Sequence, residues 1–201
     1  MSEEKFLKNE IHESKKQFQF SDASLKTIGK ILTFYPPDRK QSAVLPLLAL
    51  AQEDNSGWLS ESAIACVAKK LDMAIMRVYE VVTFHTMFNL SSVGKHCIEV
   101  CGTIPCCLCG SEKILETCKK ELGIEINETT KNGQFTLKEV ECLGACVNAP
   151  VVKINKDYFE DLGPDHMKKI INQLREGEEI SSGSALNRQG SAPLAYKQEV
   201  S

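Results

Sequence analysis

Apolar positions in the first ninety or so residues recur three and four apart, the period of helices packed by one face. Leu25, Ile28, Ile31 and Leu32 share such a face, with Asp22 placed to cap the helix and Pro36 and Pro37 to end it. Val44, Leu47, Leu48 and Ala51 form the stripe of a second helix over residues 39–52, in which Pro46 demands a kink or a late start. The turn Asn55-Ser56-Gly57 leads to Ser60, an N-cap with Glu61 in the first turn, and Ile64, Val67, Ala68 and Leu71 line the third helix. Asp72 is expected to cap a fourth, running through Met76, Tyr79, Val82 and Thr83. Short helices with brief connections make a small bundle.

Beyond Asn89 to Gly94 the pattern changes. Residues 95–100 read as a strand, and 111–122 as a helix with Ile114, Leu115 and Cys118 inward and Gly123 as C-cap. Residues 135–140 read as a second strand. Residues 151–154 and 158–160 form a hairpin turned at Asn155-Lys156-Asp157. Pro164 opens a last helix carrying Met167, Ile170, Ile171 and Leu174. The expected class is α+β: a helical bundle over 1–90, an α/β domain over 91–176 and a polar tail over 177–201, Ser-, Gly- and Gln-rich enough to be disordered alone. The tail is either solvated or an arm that orders on a partner.

The chain has 201 residues, 42% of them hydrophobic, which allows one ordinary domain or two small ones. A net charge of −3 gives no reason to expect nucleic acid or anionic lipid as a partner. Ser60 to Val82 has a helix–turn–helix look but lacks a basic recognition face, so DNA binding is set aside. The longest uncharged apolar run, Ala43 to Ala51, is too short to span a bilayer. The charged first residues do not resemble a secretory signal, and their acids argue against a mitochondrial transit peptide. With nine cysteines, an odd number, a reducing compartment is expected, and the bacterial cytoplasm is the natural reading.

Four of those cysteines stand in two pairs, each after a strand-like run. Cys101 and Cys106 lie in Val100-Cys101-Gly102-Thr103-Ile104-Pro105-Cys106, and Cys142 and Cys146 in Glu141-Cys142-Leu143-Gly144-Ala145-Cys146. Gly102, Pro105, Gly144 and Pro150 break the backbone into loops. Two loops at the same ends of neighbouring strands bring four thiolates to one point, which suits iron–sulfur or zinc. The spacing of the second pair fits zinc and that of the first lies at zinc's edge, so spacing leaves both metals open. Buried inert cysteines are the bland alternative. Cys106 and Cys109 are also spaced like a thioredoxin-type dithiol pair, a redox alternative.

These motifs resemble a known family. VCGTIPC and ECLGACVNAP are similar to the thioredoxin-like [2Fe–2S] subunit of respiratory complex I, the small partner of its NADH-oxidising flavoprotein. YPPDRKQSAVLPLLALAQ, GWLS and RVYEVVTFHTMF extend the resemblance from about Phe18 to about Glu176. It implies a helical bundle followed by a thioredoxin-like [2Fe–2S] ferredoxin domain. It also implies one [2Fe–2S] cluster on Cys101, Cys106, Cys142 and Cys146, one loop per iron. The partners it implies are the flavoprotein subunit, which holds FMN and NADH, and other peripheral-arm subunits on the cytoplasmic side of the inner membrane. Related chains serve NAD-linked hydrogenases and formate dehydrogenases. The chain is then a subunit of an oxidoreductase that performs no catalysis alone, and indeed it carries no GxGxxG loop.

Cys107 and Cys109 are expected at the start of a helix, and Cys66, Cys97 and Cys118 as small core residues. No histidine neighbours the cysteine loops as a Rieske pair would. His12 and His166 have no ligand-like companion, and His85 is read as structural. Trp58, Phe84 and Phe88 are read as core or interface aromatics, and the stretch from Tyr79 to Phe88 as partner-facing.

Overall fold

The computed structural model describes residues 17–191; the polar stretch 1–16, His12 with it, and the last ten residues of the expected tail lie outside the described residues. The chain divides into two compact units that part between Ser92 and Val93.

The first unit is helical. Helix α1 (Asp22–Leu32) is capped by Ser21 rather than Asp22: Ser21 Oγ accepts from the Ser24 N–H at 3.1 Å. Asp22 instead sits in the first turn, where its charge meets the helix dipole. A 3-10 segment (Pro37–Ala43) precedes α2 (Val44–Asp54). Of the two expected answers to Pro46, the chain uses the late start. Pro46 becomes the third helical residue, where the N–H it lacks has no partner within the helix anyway. Helix α3 (Glu61–Leu71) is capped by Ser60 Oγ, which accepts from Ala63 N–H at 3.2 Å.

Asp72 does not open the fourth helix. It closes α3 in the left-handed conformation at φ 55°, which Asp tolerates better than most residues, and α4 (Ile75–Phe84) begins after Ala74. The later start also changes the buried face. Val78 and Val82 point into the core, while Met76 and Tyr79 are exposed. The core collects Ile28, Leu47, Leu48, Ala51, Ile64, Val67, Leu71, Val78 and Phe88.

The second unit is built on one sheet of order β2-β1-β3-β4-β5. Strand β1 (His96–Cys101) pairs in parallel with β2 (Phe135–Val140). The crossover between them carries a five-residue helix α5 (Ile104–Leu108) and the longer α6 (Ser111–Leu122). Strands β3 (Val152–Ile154) and β4 (Asp157–Glu160) form the expected hairpin, β3 lying antiparallel to β1. Asn155 is left-handed at φ 55°, and its side chain accepts from Cys97 N–H and donates to Lys95 O, tying the turn to β1. Helix α7 (Pro164–Glu176) follows and ends at Gly177.

Alternation divides the sheet's faces. Ile98, Val100, Leu137, Val152 and Ile154 meet Ile114, Cys118, Met167 and Ile171 of α6 and α7 in one core. On the other face Glu99 is paired with Lys153, its register partner, at 2.6 Å. The segment after Gly177 departs from the disordered tail that its composition suggests. Gly183–Ser184 adds a strand, β5, parallel to β4, and Ser191 N–H donates to the buried Glu160 carboxylate at 3.0 Å. Buried acceptors on β4 and beside it hold a segment that has few apolar side chains of its own.

Two glycines give opposite expectations. A Cβ on Gly94 would stand 2.7 Å from the backbone carbonyl carbon of Phe135, and backbone cannot move aside cheaply. Gly94→Ala should lower the stability of the second unit by about 1–3 kcal/mol. Gly29, inside α1, has nothing within 4 Å of a new Cβ, so Gly29→Ala should stabilise the first unit by about 0.5–1 kcal/mol. Chemical denaturation followed by far-ultraviolet circular dichroism checks both; a neutral Gly94→Ala would contradict the close approach.

Candidate metal centre

Parallel strands run to the same edge of a sheet, and the four cysteines of the two loops are gathered there. Cys101 is the last residue of β1, opposite Val140 at the end of β2. Its N–H donates to Val151 O at 3.2 Å, and the next N–H, of Gly102, donates to Val140 O at 3.0 Å. Gly102 thus spends its donor on extending the ladder and not on a sulfur, contrary to the role that a close backbone approach suggests for it. Its lack of a side chain still matters, because a Cβ there would collide with the Glu139 side chain. Pro105 then lies in the first turn of α5, where a missing N–H is harmless, so the residue that reads as a breaker begins a helix instead. This turn places Cys106, 1% exposed, beside Cys101, also 1% exposed.

The second loop leaves β2 through Cys142. Gly144 takes φ 83°, which only glycine adopts without strain, and its N–H donates to Cys142 Sγ at 3.4 Å. A 3-10 turn (Cys146–Asn148) brings Cys146 back, with Cys142 Sγ and Cys146 Sγ 3.5 Å apart. At metal–sulfur bonds of about 2.3 Å, a tetrahedral ion holds two thiolate sulfurs about 3.8 Å apart. Ala145 and Val151 complete a small apolar nest with Cys101 and Cys106, while Cys142 and Cys146 stand exposed at its edge.

The loops share contacts. Cys101 Sγ lies 3.2 Å from Thr103 Oγ1, and the Thr103 hydroxyl also reaches Cys142. The Leu143 backbone of the second loop also helps to lower the Cys101 thiol of the first. Burial pushes the Cys101 thiol up, but hydrogen bonds from Thr103, Leu143 and Cys106 outweigh it, and the group lies below its ordinary range. Cys106 is pushed up to about 12 by burial and by its hydrogen bond to Cys101. The second pair divides the same way. The Gly144 N–H and the Cys146 thiol hold Cys142 low, and Cys146, as donor to Cys142, is raised. Each loop therefore holds one thiol lowered from its ordinary value and one raised above it.

Two pairs of soft sulfur donors, the second with its sulfurs 3.5 Å apart, match in kind and number the donor set of a [2Fe–2S] cluster, in which each iron takes two protein sulfurs. Thr103 and the Leu143 backbone are participants that strand periodicity did not single out. The hint for Thr103 was a hydroxyl two residues after a cysteine, on the turn side of a glycine.

The remaining cysteines separate cleanly. Burial raises Cys97 to about 11 and Cys118 to about 12, and Cys66 is raised for the same reason. Cys107 lies inside α5 with its thiol 3.4 Å from Glu112 Oε1, and Cys109 is exposed just beyond that helix. Both come before α6, which starts at Ser111. His85 lies edge-on between Phe84 and Phe88, His96 lies against Phe135, and His166 Nδ1 accepts from Gly163 N–H, so these three have structural contacts. Phe88 is core, and Phe84 is 80% exposed.

A sheet that gathers paired cysteines at the ends of two parallel strands defines the class of thioredoxin-like iron–sulfur proteins. Residues 28–175 match the family model of the thioredoxin-like [2Fe–2S] ferredoxins, and the chain belongs to that family. It is 56% identical over 158 residues to a NADH-quinone oxidoreductase subunit of Rickettsia bellii, spanning 79% of this chain and 95% of that one. It is 45% identical over 171 residues to the mitochondrial NADH dehydrogenase [ubiquinone] flavoprotein 2 of Dictyostelium discoideum, spanning 85% of this chain and 69% of that one. In fold it is similar to a chain of a NAD+-reducing [NiFe]-hydrogenase in the air-oxidised state, with a TM-score of 0.58 at 15% identity over 77% of this chain. This chain spans only 28% of that much longer one. The expected α+β class, a helical bundle followed by a thioredoxin-like [2Fe–2S] domain, is therefore the fold observed.

The thiol environments predict a labelling order for the metal-free chain. At pH 8 a thiol of pKa about 11 is ionised to about one part in a thousand, and one of about 12 to about one in ten thousand. Cys97 and Cys118 should stay unmodified by iodoacetamide while exposed Cys109 reacts, as mass mapping of peptides would read. Labelling of Cys118 as fast as Cys109 would contradict its burial.

Proposed function

We propose that this chain binds one [2Fe–2S] cluster on Cys101, Cys106, Cys142 and Cys146. On this reading it serves as a one-electron carrier in an NADH:quinone oxidoreductase of the complex I type. The observation that supports it is the set of four thiols in two loops, two buried and two exposed, inside the residues that the family model matches. When bound, the cluster supplies reversible uptake of single electrons. This chain's residues do the rest. Cys101 and Cys106 hold one end in an apolar nest, the Gly144 N–H and the Leu143 backbone offset negative charge on sulfur, and the exposed second loop leaves a face through which electrons pass.

The partner we infer is the flavoprotein subunit that holds FMN and NADH, with other peripheral-arm subunits around it, on the cytoplasmic side of a bacterial inner membrane. Among the described residues no helix is long and apolar enough to cross a membrane. On the first unit, Ile75, Met76, Phe84 and Met87 are exposed apolar side chains, and they are the surface we assign to docking. The Rickettsia bellii relative is matched over 95% of its length at 56% identity, which favours the quinone-linked host over a hydrogenase or formate dehydrogenase.

Iron and sulfide analysis tests the cluster: two irons and two sulfides per chain are expected by its definition, with visible colour, whereas one colourless zinc and no sulfide refutes it. Single Ser substitutions at Cys101, Cys106, Cys142 or Cys146 should each abolish or transform the EPR signal of the dithionite-reduced protein, and those at Cys107 or Cys109 should leave it intact. Loss at Cys109 with a normal signal at Cys106 would reassign the site.

The isolated holo-chain should keep its oxidised spectrum when mixed with NADH, because it has no Gly-rich phosphate loop and needs a flavin to split the hydride's electron pair. Addition of the FMN-loaded flavoprotein should bleach it at least partly. Rapid bleaching without flavoprotein would reveal a nucleotide site in this chain.

A further inference from the structure

The second cysteine loop is anchored by few apolar side chains. Cys142 and Cys146 are exposed, and Val147 is 75% exposed. Its backbone is held instead by polar groups, centred on Asp161, whose side chain is only 4% exposed. Asp161 N–H donates to Asn148 O at 2.8 Å, and Asn148 Nδ2 donates back to Asp161 Oδ2 at 2.9 Å.

The third member of this network comes from the C-terminal arm, residues 183–191, which lies outside the residues 28–175 matched by the family model. The Ser184 hydroxyl donates to Asp161 and accepts from the Leu186 and Arg188 N–H groups, building a turn that presents Arg188. The Arg188 guanidinium grips both Asp161 oxygens, Nη2 at 2.6 Å from Oδ1 and Nε at 3.2 Å from Oδ2. The same Nη2 donates to the carbonyl of Val147, next to Cys146, at 3.0 Å. Gln189 O accepts from Asn148 Nδ2 at 3.0 Å.

We propose that the arm is a clamp on the second cysteine loop and that Arg188 is a positioning residue for Cys146. This rests on the reading that Cys146 is a cluster ligand. The fork of the guanidinium fixes the Val147 carbonyl against a carboxylate that is itself locked to Asn148, so the 3-10 turn carrying Cys146 has one orientation. A lysine keeps the charge but lacks the planar fork that spans both carboxylate oxygens. A glutamine leaves the buried Asp161 carboxylate without its cation.

The test uses the full-length chain with Arg188→Gln, Arg188→Lys and Ser184→Ala. Cluster loss to a chelator is followed by visible absorbance, and the EPR g-values of the reduced form are recorded. Cys146 alkylation is mapped in the metal-free chain. Groups that orient a metal ligand typically carry about 10–100-fold in affinity, so Arg188→Gln should lose its cluster about tenfold faster, with shifted g-values. Arg188→Lys and Ser184→Ala should fall between it and the parent, and Cys146 should alkylate faster in the same order while Cys118 stays protected. Parent rates of cluster loss and alkylation in Arg188→Gln overturn the clamp. If Cys118 becomes reactive in Arg188→Gln, that variant has lost its fold, and the two milder variants decide by the same readouts. A parent chain that binds no iron refutes the cluster reading alone, since alkylation of Cys146 still reports whether the arm holds the loop.

Discussion

The parallel pairing of β1 with β2 is the constraint on which the rest of the second unit depends. Had the two strands been antiparallel, Cys101 and Cys142 would leave opposite edges of the sheet, about 20 Å apart for strands of this length. Parallel pairing requires a long crossover, and α5 and α6 supply it. That crossover covers one face of the sheet and donates Ile114 and Cys118 to the core. The same crossover begins with the turn that brings Cys106 back to Cys101. Sheet topology, core and thiol placement are thus one solution to one requirement.

The two loops solve different problems once they arrive. The first is part of a buried nest, and its backbone donors go largely to the sheet: Cys101 N–H to Val151 and Gly102 N–H to Val140. The second gives Ala145 to that nest and is otherwise shaped by Gly144, by the 3-10 turn and by Asp161. Burial disfavours a thiolate, and hydrogen bonds to sulfur favour it. Cys101 shows both effects at once and the bonds prevail, while Cys106, the donor of the pair, stays protonated. Asymmetric pairs of this kind keep two thiols of a metal-free site from repelling each other as anions at short range.

Much of this was legible in the sequence because period and spacing are local. The strands, the caps at Ser60 and Gly123, and both cysteine pairs follow from residues a few positions apart. What escaped was decided by competition between neighbours or by distant groups. Ser21 and Asp22 are both good caps, and the Asp54 carboxylate, which accepts from the Ser21 N–H and hydroxyl, selects Ser21. Asp72 could open a helix or close one, and the left-handed turn at its own φ put it at the end of α3. The arm after Gly177 looks unstructured by composition, because what orders it is Glu160 and Asp161 on another strand's end, invisible to any local window.

On the proposed assignment of the cluster to these four cysteines, the exposure pattern at the site bears on where its redox potential would be set. Cys142 and Cys146 face water, and Ile104, Leu108 and Val147 are 75%, 84% and 75% exposed. Water near sulfur stabilises the more negative, reduced state, and a dry apolar surround disfavours it. These apolar side chains lie on α5 and on the second loop itself, the two elements that carry cysteines. This chain leaves the second pair open to water, whereas it encloses the first pair with Ala145 and Val151. On the proposed assignment the two ends of the cluster therefore differ in hydration: one is enclosed by the fold of this chain and the other is left open to water.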